Sequence, residues 1–89
     1  MIDFGGRRVV VTGATGGLGT GLVKTFEQNG ATVVSCDVPG IAPPEGIAEH
    51  HVFDMRDHDA LCVAADRIVA GGAPAAVVLN AGRTRADTL

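Results

Sequence analysis

The sequence predicts an α/β fold, the first half of a doubly wound parallel sheet with strand order 3-2-1-4. Three observations predict it. The runs Val9-Val10-Val11 and 75–79 are apolar throughout rather than alternating, as in parallel strands covered on both faces. Strand-like and helix-like segments follow one another as strand, helix, strand, strand, helix, strand. A glycine-rich turn joins the first strand to the first helix. Parallel strands need crossovers, and right-handed crossovers place the helices on the sheet faces.

Residues 7–12 read as the first strand. Residues 18–29 read as a helix, with Leu18, Leu22, Val23 and Phe26 on one face at spacings of three and four. Gly30 is its stop signal. Residues 31–36 form the second strand, closed by Asp37. The next stretch, 38–46, carries Pro39, Gly40, Pro43 and Pro44 and is expected as a loop. Residues 50–53 make a short third strand that ends at Asp54. Asp57 is placed to cap a helix over 58–70, whose apolar face is Leu61, Ala64, Ala65 and Ile68. Gly71-Gly72 end it and Pro74 blocks its resumption. Residues 75–79 are the fourth strand, closed by Asn80-Ala81-Gly82, and the last seven residues are polar.

The turn Thr12-Gly13-Ala14-Thr15-Gly16-Gly17-Leu18-Gly19 carries the chemistry. A strand running into a helix points backbone N–H groups and a positive dipole end at the turn, where an anion is favoured. Gly13 lets the chain turn as it leaves the strand. Gly17 removes a side chain where a diphosphate would touch the backbone, and Gly19 lets the helix pack on the strand. Thr15 and Gly16 complete the candidate cradle. Asp37 follows at the end of the next strand. A carboxylate there accepts hydrogen bonds from both ribose hydroxyls of an adenosine and repels a 2′-phosphate. Neither Val38 nor Gly16 is basic, so NAD is expected over NADP. The plainer reading of Asp37, a turn carboxylate, loses weight because of the upstream glycines. A P-loop is excluded, because Gly19 is followed by Thr20-Gly21 rather than Lys-Ser/Thr.

Composition narrows the field. Eighty-nine residues are one small domain or part of a larger one, and a chain of that size hides only about 60–65% of its unfolded surface. A hydrophobic share of 46% argues against disorder. The net charge is −3 with no basic stripe, so nucleic acid is not an expected partner. No apolar run approaches the ~20 residues of a membrane span, and no signal-peptide pattern opens the chain. Cys36 and Cys62 lie far apart, and two reduced, partly buried thiols in a cytoplasmic protein are expected. His50, His51 and His58 do not suggest a metal, because neighbouring strand residues point to opposite faces.

With Thr12-Gly13-x-x-x-Gly17-x-Gly19, Asp37 and Asn80-Ala81-Gly82, the chain resembles the short-chain dehydrogenase/reductase family, classical type. The resemblance implies a Rossmann-type fold and covers essentially the whole chain. Gly13-x-x-Gly16-x-x-Gly19 also meets the spacing of the extended branch, which includes sugar-nucleotide epimerases. The stretch Val77-Val78-Leu79-Asn80-Ala81-Gly82 favours the classical one. The resemblance places Gly13, Gly17, Leu18 and Gly19 along the diphosphate and Asp37 on the ribose. It places Asp54 on the adenine amino group and Met55 against the ring. Asn80, Ala81 and Gly82 would flank the adenosine and brace the sheet near Thr12. The plainer reading of Asp54 is one acid of a polar cluster, with Asp57 and Asp59, around a helix start.

The family's chemistry uses a serine and a Tyr-x-x-x-Lys pair to move a proton while hydride passes between NAD(P) and a carbonyl or alcohol substrate. None of it carries over. The chain has no tyrosine, and its single serine, Ser35, lies inside the second strand. Residues 1–89 are therefore expected as a partial dinucleotide-binding domain, inactive alone, whose fourth strand is left as an unpaired edge. The parent would be a homo-oligomeric oxidoreductase. The alternatives are a non-catalytic nucleotide-binding module and the first part of an extended-type epimerase or dehydratase. Arg83 and Arg85 are expected in a solvated tail.

Overall fold

The computed structural model describes residues 3–14, 17–40, 42–43 and 45–79. Six elements follow in chain order: β1 (Arg8–Thr12), α1 (Gly17–Gln28), β2 (Thr32–Asp37), β3 (Glu49–Val52), α2 (His58–Ala70) and β4 (Ala76–Leu79). They form a four-stranded sheet in the order β3-β2-β1-β4, with every neighbouring pair parallel. This is the predicted architecture. The expected helix over 58–70 is met at both ends, and Asp57 caps it by accepting from the Ala60 N–H at 3.1 Å. Among its described residues the 38–48 connection holds no helix.

The chain moves one way from β1 to β3 and then returns past β1 to β4. Crossovers of one hand that travel in opposite directions put their cover on opposite faces. Side chains alternate along β1 accordingly. Val9 and Val11 join Ala14, Val23 and Val33 in a core under α1, which Phe4, Phe26 and Ile47 extend. Val10 joins Val34, Cys36, Phe53, Ala64 and Ile68 in a second core under α2. Ile47 belongs to the α1 side, so the helix-free connection covers that face too.

Glycine ends α1 as expected. Gly30 has φ +84°, its N–H reaches the Glu27 carbonyl at 3.0 Å and Ala31 N–H reaches Phe26 at 3.0 Å. That pair of bonds is the Schellman stop. At α2 the positive φ belongs to Gly72, at +125°, while Gly71 stays right-handed.

Three expectations about burial need correction. Leu18 is 70% exposed rather than part of the buried face of α1, because the first turn of the helix stands at the sheet's carboxyl edge. Ala65 is exposed while Ala64 and Ile68 are buried, so the inward stripe of α2 is narrower than its apolar pattern. Cys62 is exposed; only Cys36 is a buried thiol. Among the described strands β4 lies at one end of the order, and Val77 and Leu79 are 53% and 77% exposed on the α2 side.

At the opposite edge one side chain ties three elements together. Arg8 donates to the Ile68 carbonyl at 2.8 Å and the Gly72 carbonyl at 3.0 Å, and pairs with Glu49 at 2.9 Å. Glu49 also binds His51. A cation at a helix C-terminus faces open carbonyls and the negative dipole end. The hydrogen bonds from Arg8 and His51 hold the Glu49 carboxyl below its usual range. Arg8→Ala is expected to cost about 2 kcal/mol in urea unfolding, since it strands charged and carbonyl acceptors at once. A depressed carboxyl pKa stabilises the fold above the unfolded-state value, and this support is lost as pH falls through the folded-state value. Glu49→Gln should therefore flatten the acid limb of a melting-temperature profile. An acid limb as steep as that of the unaltered protein would remove Glu49 from the account.

Candidate functional site

The register brings Thr12, Asp37, Val52 and Leu79 to one edge of the sheet, at the carboxyl ends of the four strands. β1 is the strand on whose two sides the chain order diverges. In open α/β sheets ligands bind outside the carboxyl ends at such a point. The glycine turn lies directly after β1.

Gly13 has φ +66°, a conformation that L side chains rarely adopt, and its N–H is donated to the Cys36 carbonyl at 2.9 Å. The turn is thereby fastened beside Asp37. Gly19 is buried, and a Cβ there would run into the Gly13 carbonyl and lie 2.8 Å from the Ala14 Cα. At Gly17 a Cβ would meet none of the described residues within 4 Å. Thr20 Oγ1 donates to the Ala14 carbonyl at 3.3 Å, fixing the turn on the helix. So Gly13 is required by conformation and Gly19 by packing, while no packing among the described residues explains Gly17. That open position suits a backbone that a bound anion must approach.

The two helix N-termini differ. The first turn of α1 carries no acidic residue. The first turn of α2 has Asp57 as its cap and Asp59 within it. N–H groups at both ends lack intrahelical partners, but only α2 answers them with its own carboxylates. The first turn of α1 thus places no carboxylate at its positive end, where Leu18 is exposed.

Asp37 ends β2 half-buried, with Oδ1 accepting the Val38 N–H at 2.8 Å. Its carbonyl accepts the Phe53 N–H at 2.9 Å, which aligns the chain leaving β3. Asp54 follows. Arg56 grips it with three bonds, from Nε to Oδ1 at 3.1 Å, from Nη2 to Oδ2 at 2.9 Å and from its backbone N–H to Oδ1 at 2.9 Å. Those bonds pull the Asp54 carboxyl down to about 2. Nothing in the sequence reading pointed to Arg56; the Asp-x-Arg spacing was its only signal.

Met55 lines an apolar cavity of about 200 Å³ under β4 and α2, together with Thr12, Cys36, Phe53, Leu61 and Leu79. Burial, and then the charges of Glu49 and Asp37, push the Cys36 thiol up to about 11, so it stays a neutral lining group. Thr12 Oγ1 donates to the Val78 carbonyl at 3.3 Å, so β4 itself braces the end of β1. Thr15, Gly16, Asn80, Ala81, Gly82, Arg83 and Arg85 lie outside the described residues. His50 and His51 take different partners, Ser35 and Glu49.

A family model described as NAD dependent epimerase/dehydratase family matches residues 9–88. The chain belongs to that family. It is also similar to dehydrogenases. The C alpha-dehydrogenase of a Sphingobium species is 34% identical over 93 residues, covering 92% of this chain and 30% of that protein. A probable galactose dehydrogenase of Rhizobium meliloti is 35% identical over 92 residues, covering 91% of this chain and 36% of that protein. An uncharacterized short-chain type dehydrogenase/reductase of Sinorhizobium fredii is 56% identical over 34 residues, 38% of this chain and 6% of that protein. The chain thus spans about a third of the length of the first two relatives. These matches and the sheet together make it an NAD(P)-binding module of the oxidoreductase type.

Two substitutions separate packing from ligand contact. Gly19→Ala should destabilise the fold by about 1–3 kcal/mol through overpacking. Gly17→Ala should hold or raise the melting temperature, since alanine favours the helix by up to about 1 kcal/mol, yet weaken dinucleotide binding. A stable Gly17→Ala protein with undiminished binding would take Gly17 out of the cradle.

Proposed function

We propose that this chain is the cofactor-binding part of an NAD-dependent oxidoreductase that acts on a carbonyl or alcohol substrate. The observation that carries the reading is the Gly13 turn fastened to Cys36, beside the Asp37 carboxylate, at the edge where β1 meets the N-terminus of α1. The chain's residues fit a dinucleotide: a positive φ at Gly13, open space at Gly17 and an acid-free first turn of α1. A bound nicotinamide dinucleotide supplies hydride transfer.

The protein's own groups divide the work. N–H groups of Gly17, Leu18 and Gly19 receive the diphosphate. The Asp37 carboxylate accepts from the ribose hydroxyls and repels a 2′-phosphate, which makes NAD the cofactor rather than NADP. Asp54 retains acceptor capacity on Oδ2 for an adenine amino group, and Met55 offers the ring an apolar wall. Thr15, Gly16, Asn80, Ala81 and Gly82 stay in this reading from the sequence motifs alone. The proton-moving Tyr-x-x-x-Lys pair belongs to sequence beyond these 89 residues, in a longer, homo-oligomeric protein. Two free thiols, one of them exposed, fit a reducing cytoplasm.

A second reading has its own support in the family description, which names epimerases and dehydratases. In such enzymes the cofactor returns to its starting state within each turnover. Accumulation of NADH during turnover by the full-length protein favours the dehydrogenase, and turnover without it favours the epimerase. Binding of NAD with no turnover on any substrate favours a non-catalytic module.

Asp37→Ala tests the cofactor assignment. Losing hydrogen bonds to a charged acceptor should weaken NAD binding roughly 10- to 100-fold and narrow the gap to NADP. Calorimetric titration with both cofactors reads this directly. An unchanged preference would leave Asp37 a strand-end acid without a ligand.

A further inference from the structure

The charges along the cofactor edge suggest a second control on selectivity. The sequence holds seven Lys and Arg residues. Arg7 and Arg8 lie at the start of β1 and Arg67 in the last turn of α2, at the opposite edge. Lys24 lies in the second half of α1, and Arg83 and Arg85 are outside the described residues. Arg56 is thus the described cation beside the carboxyl ends of the strands. The chain reaches it from Phe53, whose N–H is bound to the Asp37 carbonyl, through a turn closed by the Asp57 N–H on the Asp54 carbonyl at 2.9 Å. Three residues keep Arg56 within about 11 Å of Phe53 even if extended. A free guanidinium is a phosphate binder, and this one is carried by the segment whose Phe53 N–H is bonded to the Asp37 carbonyl.

The guanidinium is not free. Asp54 engages it at both oxygens, and the Arg56 backbone N–H adds a third bond to the same carboxylate. Exposed ion pairs are usually weak, but two-point geometry within one short turn is the favourable case. We propose that Asp54 is a specificity-determining residue: it withholds Arg56 from a 2′-phosphate, so that NADP is refused by occupation of the cation as well as by repulsion from Asp37. The inference rests on the dinucleotide reading above.

The test is calorimetric titration of the full-length protein with NAD and with NADP, using four forms: unaltered, Asp54→Asn, Arg56→Ala and the double variant. Arg56 is 91% exposed and the Asp54 side chain 42%, so neither change reaches the core; Asp54→Ser serves as a second neutral variant. Asp54→Asn should raise NADP affinity roughly tenfold against NAD. The double variant should lose that gain, and Arg56→Ala alone should leave the preference unaltered. A gain that survives in the double variant would overturn the role of Arg56. So would Asp54→Asn that weakens NAD with no gain for NADP, which would make Asp54 an adenine contact only. An unaltered protein that binds neither cofactor would instead refute the dinucleotide reading itself.

Discussion

Everything at the carboxyl edge depends on how closely α1 approaches the end of β1. Gly19 lies against the Gly13 carbonyl and the Ala14 Cα, with no room for a Cβ. That contact seats the positive end of α1 directly over the turn. The turn in turn is fixed from the side by the Gly13 N–H on the Cys36 carbonyl and from above by Thr20 on Ala14. A helix displaced by the width of a methyl group would carry its N–H donors away from Asp37. The N-terminus of α1 and the end of β2 at Asp37 are therefore positioned together, through the turn they share.

The same chain order sets the two cores apart. α1 and the helix-free connection around Ile47 cover one face, and α2 covers the other. Because β4 lies beyond β1, α2 reaches only part of the way over it. That leaves Val77 and Leu79 bordering the apolar cavity that also receives Met55. The cavity is thus a consequence of topology. Its floor is the buried thiol of Cys36, held neutral by burial, so it presents no charge to an aromatic ring.

The sequence made the elements and their order legible because each carried two agreeing signals. α2 had an apolar period and the Asp57 cap, and α1 had its period and the Gly30 stop. The strands were continuous apolar runs, and their ends shifted by one residue where ladder pairing, not hydropathy, sets the boundary. Glu49 joins β3 by pairing with Val34, for example. Leu18 misled because spacing reports a face but not where the helix projects past the sheet. The Arg8 network was invisible for a different reason: its partners are 41, 60 and 64 residues away. Arg56 and Asp54 were only two residues apart, but their pairing depends on a turn whose closure no local composition announces. At the turn, Gly13 and Gly19 were readable because a positive φ and close packing each demand glycine.

The two edges of the sheet use the same electrostatics to opposite ends. At the amino edge, Arg8 places donors on the carbonyls of the α2 C-terminus, and Glu49 neutralises the cation. That helix end is closed and serves stability. At the carboxyl edge, α2 caps its own N-terminus with Asp57 and carries Asp59 in its first turn, while the first turn of α1 holds glycines and no acid. Acidic side chains in the first turn of α1 would have stabilised the helix, and would have occupied the place of the anion. Leaving that end without them gives up a small local gain and keeps carboxylates away from the positive helix terminus that follows the Gly13 turn. Gly19 is thus explained by the fold, whereas the packing of the described residues gives no reason for the glycine at 17.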